Sequence, residues 1–159
     1  MQLIIGNQNY SSWSMRFWVA MNHFGIAFES TKIELDTAAF AHQVSAYSSA
    51  QTVAVLITPH GAATDSLSNL ETLADSYLIM WPAAKAKAGQ NQGYLLGAFS
   101  IADAFFAPVV VRLQAYKVSV NGATQTYINT MLSTPAVKAW MATGVKETII
   151  LPADEAGTN

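Results

Sequence analysis

The sequence predicts an α/β chain: a small sheet with helices in the first half, helices alone in the second. Three observations carry that expectation. An apolar run, Leu3-Ile4-Ile5, ends at Gly6 in a polar turn and passes into a segment with helical periodicity. Val53 to Ile57 is a compact apolar run followed by the turn Thr58-Pro59-His60-Gly61, the signature of a buried strand and its return. Past Gly93, Ser100 and Asp103 open a segment whose apolar residues recur at helical spacing.

In chain order, Leu3 to Ile5 is the first strand. Trp13, Phe17, Ala20, Met21 and Phe24 then fall on one face of the first helix. Ser11 and Ser12 sit where that helix begins, so one of them is its expected N-cap, accepting from an otherwise unpaired backbone N–H. Arg16, on the same helix, is expected to make structural hydrogen bonds. Gly25 stops the helix, and Ala27 to Leu35 alternates in a way that suggests a second strand. Thr37 to Tyr47 reads as a short helix with Phe40, Val44 and Tyr47 on one side. Val53 to Ile57 and Ala62 to Thr64 are a strand and its return. A helix follows with Leu67, Leu70, Ala74, Tyr77 and Leu78 as its stripe and Asp65 or Ser66 at its start. The order strand, helix, strand, helix, strand, strand, helix is that of the thioredoxin-like fold.

Trp81-Pro82 ends that helix, and the small-residue segment from Ala83 to Gly93 reads as a linker or a frayed helix. Ser100 and Asp103 have the spacing of a capping box. The helix they open should continue to about Tyr116, with Ile101, Phe105, Val109 and Leu113 buried. Pro108 removes one backbone hydrogen bond from it and bends it. Thr124 to Leu132 and Pro135 to Met141 are two further helical patterns, with Trp140 as a core anchor, and the tail from Ile149 to Glu155 is expected to pack back on the domain. The expected organisation is a thioredoxin-like domain over 1–80, a linker over 81–93 and a reduced all-α domain over 94–159.

Composition narrows the function. Hydrophobic residues are 52% of the 159 and charged residues 11%, against roughly 25% charged in typical soluble proteins. So sparsely charged a surface favours association into an oligomer. A formal net charge of -2 with no Lys/Arg cluster argues against nucleic acid or anionic lipid as partner. There are no cysteines, so disulfides, thiolate metal sites and a cysteine nucleophile are excluded. His23, His42 and His60 are scattered, and no metal site is expected. The N-terminus does not read as a signal peptide, and the apolar stretch from Ala104 to Val111 is too short to span a bilayer, so a soluble, cytoplasmic protein is expected.

The string Gly6-Asn7-Gln8-Asn9-Tyr10-Ser11-Ser12-Trp13-Ser14-Met15-Arg16-Phe17-Trp18 resembles the opening of bacterial glutathione transferases, with Phe17 in place of the usual proline. Its Tyr-Ser-Ser-x-Ser-x-Arg pattern is also similar to the zeta class, although Trp13 stands where that class has cysteine. Val53 to Leu56, the pair Asp65-Ser66, and the run from Phe99 to Pro108 match further motifs of the family in order. Relative to the family, the two long helices that follow Trp-Pro are largely missing.

The resemblance implies glutathione as cosubstrate and its thiol as attacking group on a small electrophile. A free thiol has a pKa of about 8.5, and a helix N-terminus with a donating hydroxyl lowers it by favouring the thiolate. Ser11 matches the serine credited with this, and Ser12 is the fallback. Asp65 and Ser66 match the pair that holds the γ-glutamyl end, and Thr52 and Val53 fall where the family's backbone meets the cysteinyl part. Ala54 stands where the family has a cis-proline. Because cis bonds before other residues cost ~2.5 to 4 kcal/mol, Val53-Ala54 is expected to be trans. Gln51-Thr52 replaces the more usual Gly-Lys/Arg. The other expectation kept open is a non-catalytic relative that uses the fold for binding. The apolar faces left by the missing helices point to a partner chain, as an altered dimer or through exchanged helices.

Overall fold

In the computed structural model, which describes residues 1–59, 61–64 and 92–155, the first half of the chain forms one four-stranded sheet in the order β2-β1-β3-β4. The strands are β1 (Gln2–Ile5), β2 (Glu29–Lys32), β3 (Val55–Thr58) and β4 (Gly61–Ala63), with helices α1 (Ser12–His23) and α2 (Phe40–Ser45) between them. β2 runs parallel to β1, whereas β3 and β4 pair antiparallel. The parallel pair needs a crossover, and α1 supplies it.

From Leu3 to Ile5, β1 is apolar because both faces are covered. Leu3 and Ile5 point into the main core with Leu56, Phe17, Met21 and Trp140, while Ile4 points the other way into a small cluster with Ile33, Val44 and Val55. That split is the two-residue alternation of a strand. The ladder between β1 and β2 is shorter than the alternation from Ala27 to Leu35 suggested. β1 turns away at Gly6, so the Leu35 amide bonds the Asn7 side chain instead of a strand partner. α2 is likewise shorter than its pattern and buries only Val44.

The Val53–Ala54 peptide is cis, which corrects the expectation of a trans bond. On its β3 side, Ala54 is buried in the main core and Val55 is registered opposite Ile4. The helix expected from Leu67 to Leu78, its cap at Asp65 or Ser66, and the linker up to residue 91 lie outside the described residues.

The second half is helical: α3 (Ile101–Ala115), α4 (Gly122–Ser133) and α5 (Pro135–Gly144), then a single 3-10 turn at Pro152–Asp154. α3 packs on α1, and Trp140 of α5 meets Trp18 of α1 with ring centres 5.5 Å apart. This is a thioredoxin-like sheet followed by an all-α half. Which face of α3 is buried differs from expectation. Ala104, Ala107 and Val110 lie inside, Val109 is exposed, and Ile101, Phe105 and Leu113 are only half-buried. The helix is apolar nearly all round, so its pattern could not select a face, and the small alanines allow the closest approach to α1. Asp103 is fully buried at its start, accepting from the Leu95 amide at 3.0 Å, the Ser100 amide at 2.8 Å, the Ser100 hydroxyl at 2.7 Å and the Tyr127 hydroxyl at 3.2 Å.

Two expectations for α1 are also corrected. Trp13 is 53% exposed, not part of the buried face, because it lies in the first helical turn above Arg16. Among the described residues, Arg16 makes no structural hydrogen bond through its buried Nε. Its guanidinium instead lies between the rings of Trp13 and Phe105, 4.5 and 5.2 Å from their centres.

Candidate functional site

The turn between β1 and α1 is fixed by its own polar atoms. Asn7 is fully buried, and its carbonyl accepts from the Ser11 amide at 2.8 Å and the Tyr10 amide at 3.2 Å. Its side chain accepts from the Leu35 amide at 2.8 Å and donates to Glu147 at 3.0 Å. The Gly6 amide donates to the Ser14 hydroxyl at 3.0 Å.

Ser11 is the N-cap of α1, which settles the choice between the two serines. Its oxygen accepts from the Ser14 amide at 3.3 Å, and its proton goes to the Ser14 hydroxyl at 2.7 Å. Ser11 is only 7% exposed. Ser12, the first helical residue, is half-buried, and its side chain has no hydrogen-bond partner among the described residues. The two hydroxyls thus differ in commitment: Ser11 holds the helix start together, while Ser12 is available to a ligand.

Both serines face a cavity of about 230 Å³. One wall is the turn, Gln8 to Ser12, with Met15 beneath it. The other is apolar, built from Pro108 and Val111 of α3, Trp140 and Met141 of α5, and Val145. Arg112 is the charged side chain in this lining. Its like charge, together with burial as the larger cause, holds the Arg16 pKa below the usual arginine value. The cavity therefore joins the donor-rich, electropositive start of a helix to an apolar half and suits a ligand with an anionic group and an apolar portion.

Tyr10 completes the turn. Its hydroxyl donates to the Glu155 carboxylate and accepts from the Leu151 amide at 3.2 Å. The bond to Glu155 is the main cause that raises its pKa, so it remains a neutral phenol at physiological pH.

The remaining sequence-derived candidates fall elsewhere. Thr52 is exposed and Val53 half-buried, and neither lines the cavity. The antiparallel register does bring the start of β3 to the same end of the sheet as the turn that follows β1. Asp65 and Ser66 lie outside the described residues. Among the described residues no group of three His, Asp or Glu side chains could hold a metal ion, and His23 stacks on Phe99 at 3.8 Å. No helix among them is long and apolar enough to cross a membrane. Sequence reasoning missed Asn7, Tyr10, Arg112 and Glu147 as parts of the site. Asn7 and Tyr10 stood inside the motif, but Arg112 and Glu147 had no local signal: Arg112 lines the same cavity from about 100 residues away, and Glu147 bonds the turn from about 140.

No family model matches the sequence, and no curated protein matches it. Solved structures do resemble the fold. A glutathione transferase homolog from Burkholderia with bound glutathione superposes with a TM-score of 0.67 at 18% identity, covering 92% of this chain and 98% of that one. A sphingomonad glutathione S-transferase complexed with glutathione gives 0.63 at 18% identity, covering 92% and 100%. A Tau class glutathione S-transferase from mango, Mangifera indica, gives 0.56 at 13% identity, covering 91% and 95%. The fold is that of the glutathione transferases.

Proposed function

We propose that the protein is a glutathione transferase of the serine type, zeta-like in its N-terminal motif, which binds glutathione and transfers its thiolate to a small electrophile. The observation that carries this reading is the cavity with Ser11, Ser12 and the start of α1 on one wall and an apolar wall opposite. Two of the structures with this fold hold glutathione. The thiol would lose its proton to solvent, and the thiolate would be stabilised by the helix start and a serine hydroxyl. Its sulfur would form a bond to the electrophilic carbon while the leaving group departs with its electron pair. Thr52 and Val53 would meet the cysteinyl part, and Asp65 and Ser66 the γ-glutamyl end. A cytoplasmic homodimer with a domain boundary in 81–93 belongs to the same reading.

One observation favours a second reading, a non-catalytic glutathione-binding or interaction module. The Ser11 proton is already donated to Ser14, so activation through Ser11 requires that bond to be exchanged for one to sulfur. Calorimetric titration with glutathione, alongside turnover of a general aromatic electrophile, separates the two. Saturable binding with turnover that falls in Ser11→Ala or Ser12→Ala supports the transferase. Binding without turnover supports the module, and no binding at millimolar glutathione refutes both glutathione roles.

A further inference from the structure

The segment that follows α5 returns to the serine turn and bonds it at four consecutive residues. Glu147 accepts from the Asn7 side chain at 3.0 Å and from the Gln8 amide at 2.8 Å. The Asn9 side chain donates to the Ile149 carbonyl at 3.0 Å, and the Tyr10 hydroxyl bonds the Leu151 amide and Glu155. Contacts advance together along both segments, so residues 147–155 lie against residues 7–10 as a strap. Gly144, at the end of α5, fits just as closely: a Cβ there would stand 3.1 Å from the Gln8 carbonyl oxygen.

We propose that Glu147 is a positioning residue for the serine turn and that the strap it begins sets where the start of α1 sits relative to the apolar wall. The catalytic consequence rests on the function proposed above, whereas the positioning itself does not. Glu147 is 5% exposed at its side chain, and three donors meet it, the third being Lys32 at 3.2 Å. Two of those donors, from Asn7 and Gln8, belong to the turn itself, and hydrogen bonds to an ionised carboxylate are among the stronger ones. Both oxygens are engaged, one by Gln8 and the other by Asn7 and Lys32. Asn7 then passes the constraint on, since its carbonyl receives the Ser11 amide. Lys32 is itself half-exposed and touches no part of the turn in any of these bonds. Its ion pair with Glu147 is therefore separable from the positioning.

Replacing Glu147 by Gln keeps the shape but turns an NH2 group toward a donor whichever way the amide faces. Hydrogen exchange of the full chain should then be compared in wild type, Glu147→Gln and Lys32→Met, together with the pH profile of thiolate formation on bound glutathione. The expected result is exchange about tenfold faster or more at residues 7–11 in Glu147→Gln, with β3 and α5 unchanged and the thiolate midpoint moved to higher pH. Lys32→Met should change both less, because the Asn7 and Gln8 bonds to the carboxylate remain. Uniformly faster exchange over the whole chain, no change at residues 7–11, or the same change in Lys32→Met would overturn the proposal. If the wild type binds no glutathione, the function above fails while the exchange comparison still decides the strap. Should Glu147→Gln not fold, Glu147→Asp keeps the charge, shortens the reach by one methylene and carries the same comparison.

Discussion

Two buried carboxylates organise this molecule in opposite ways. Asp103 gathers four donors from Leu95, Ser100 and Tyr127, the farthest 24 residues away, and in doing so starts a helix. Glu147 gathers three from Asn7, Gln8 and Lys32, all more than 100 residues away, and in doing so aims a turn. The chemistry is alike, but the span differs. A local hub stabilises the element that contains it, whereas a long-range hub couples two halves of the chain and leaves its mark at the site between them.

The contrast can be broken at several points. The largest effect is expected from Asp103→Ala, which strands buried donors at the start of α3. Stability should fall by about 3 to 5 kcal/mol in chemical denaturation, with activity lost only in step with folded protein. Glu147→Gln should cost less, about 1.5 to 3 kcal/mol, yet change glutathione turnover more per unit of stability lost. Equal losses of stability and turnover in the two variants would erase the distinction.

Ser11→Ala removes the cap of α1 and should cost about 1 kcal/mol in thermal unfolding, while Ser12→Ala, with no side-chain bond among the described residues, should stay within about 0.5 kcal/mol. The smallest effect concerns alkaline pH. Burial, the Asp103 charge and the Asp103 hydrogen bond all hold the Tyr127 pKa above the ordinary tyrosine value. Its folded pKa is raised, so its contribution is full below the unfolded pKa of about 10 and is lost as pH climbs toward the folded one. Tyr127→Phe should therefore flatten the fall of stability above pH 10, which a series of unfolding curves would read.

Much of this was legible in the sequence where the signals are local. The strand, turn and helix from Leu3 to Phe24, the Ser100 and Asp103 pair and the core position of Trp140 all follow from neighbours within a few residues. Ser11 and Ser12 were candidates for that reason, and both line the cavity. The buried face of α3 was not legible, because an almost wholly apolar helix offers no contrast between its sides. The exposed placing of Trp13 depends on Arg16 and Phe105 together. The strap was foreseen only as a tail packing back. Its contacts, Glu147 to Asn7 and Gln8 and Tyr10 to Leu151, join residues about 140 apart in sequence, so no local pattern announces them.

The most direct test of the central claim is the pKa of the glutathione thiol while it is bound, read from the ultraviolet absorbance of the thiolate across a pH series. The account predicts a value clearly below the roughly 8.5 of a free thiol, moving back toward it in Ser11→Ala or Ser12→Ala. A bound thiol that titrates like the free one, unchanged by either substitution, would contradict the assignment of this helix start as a thiolate site.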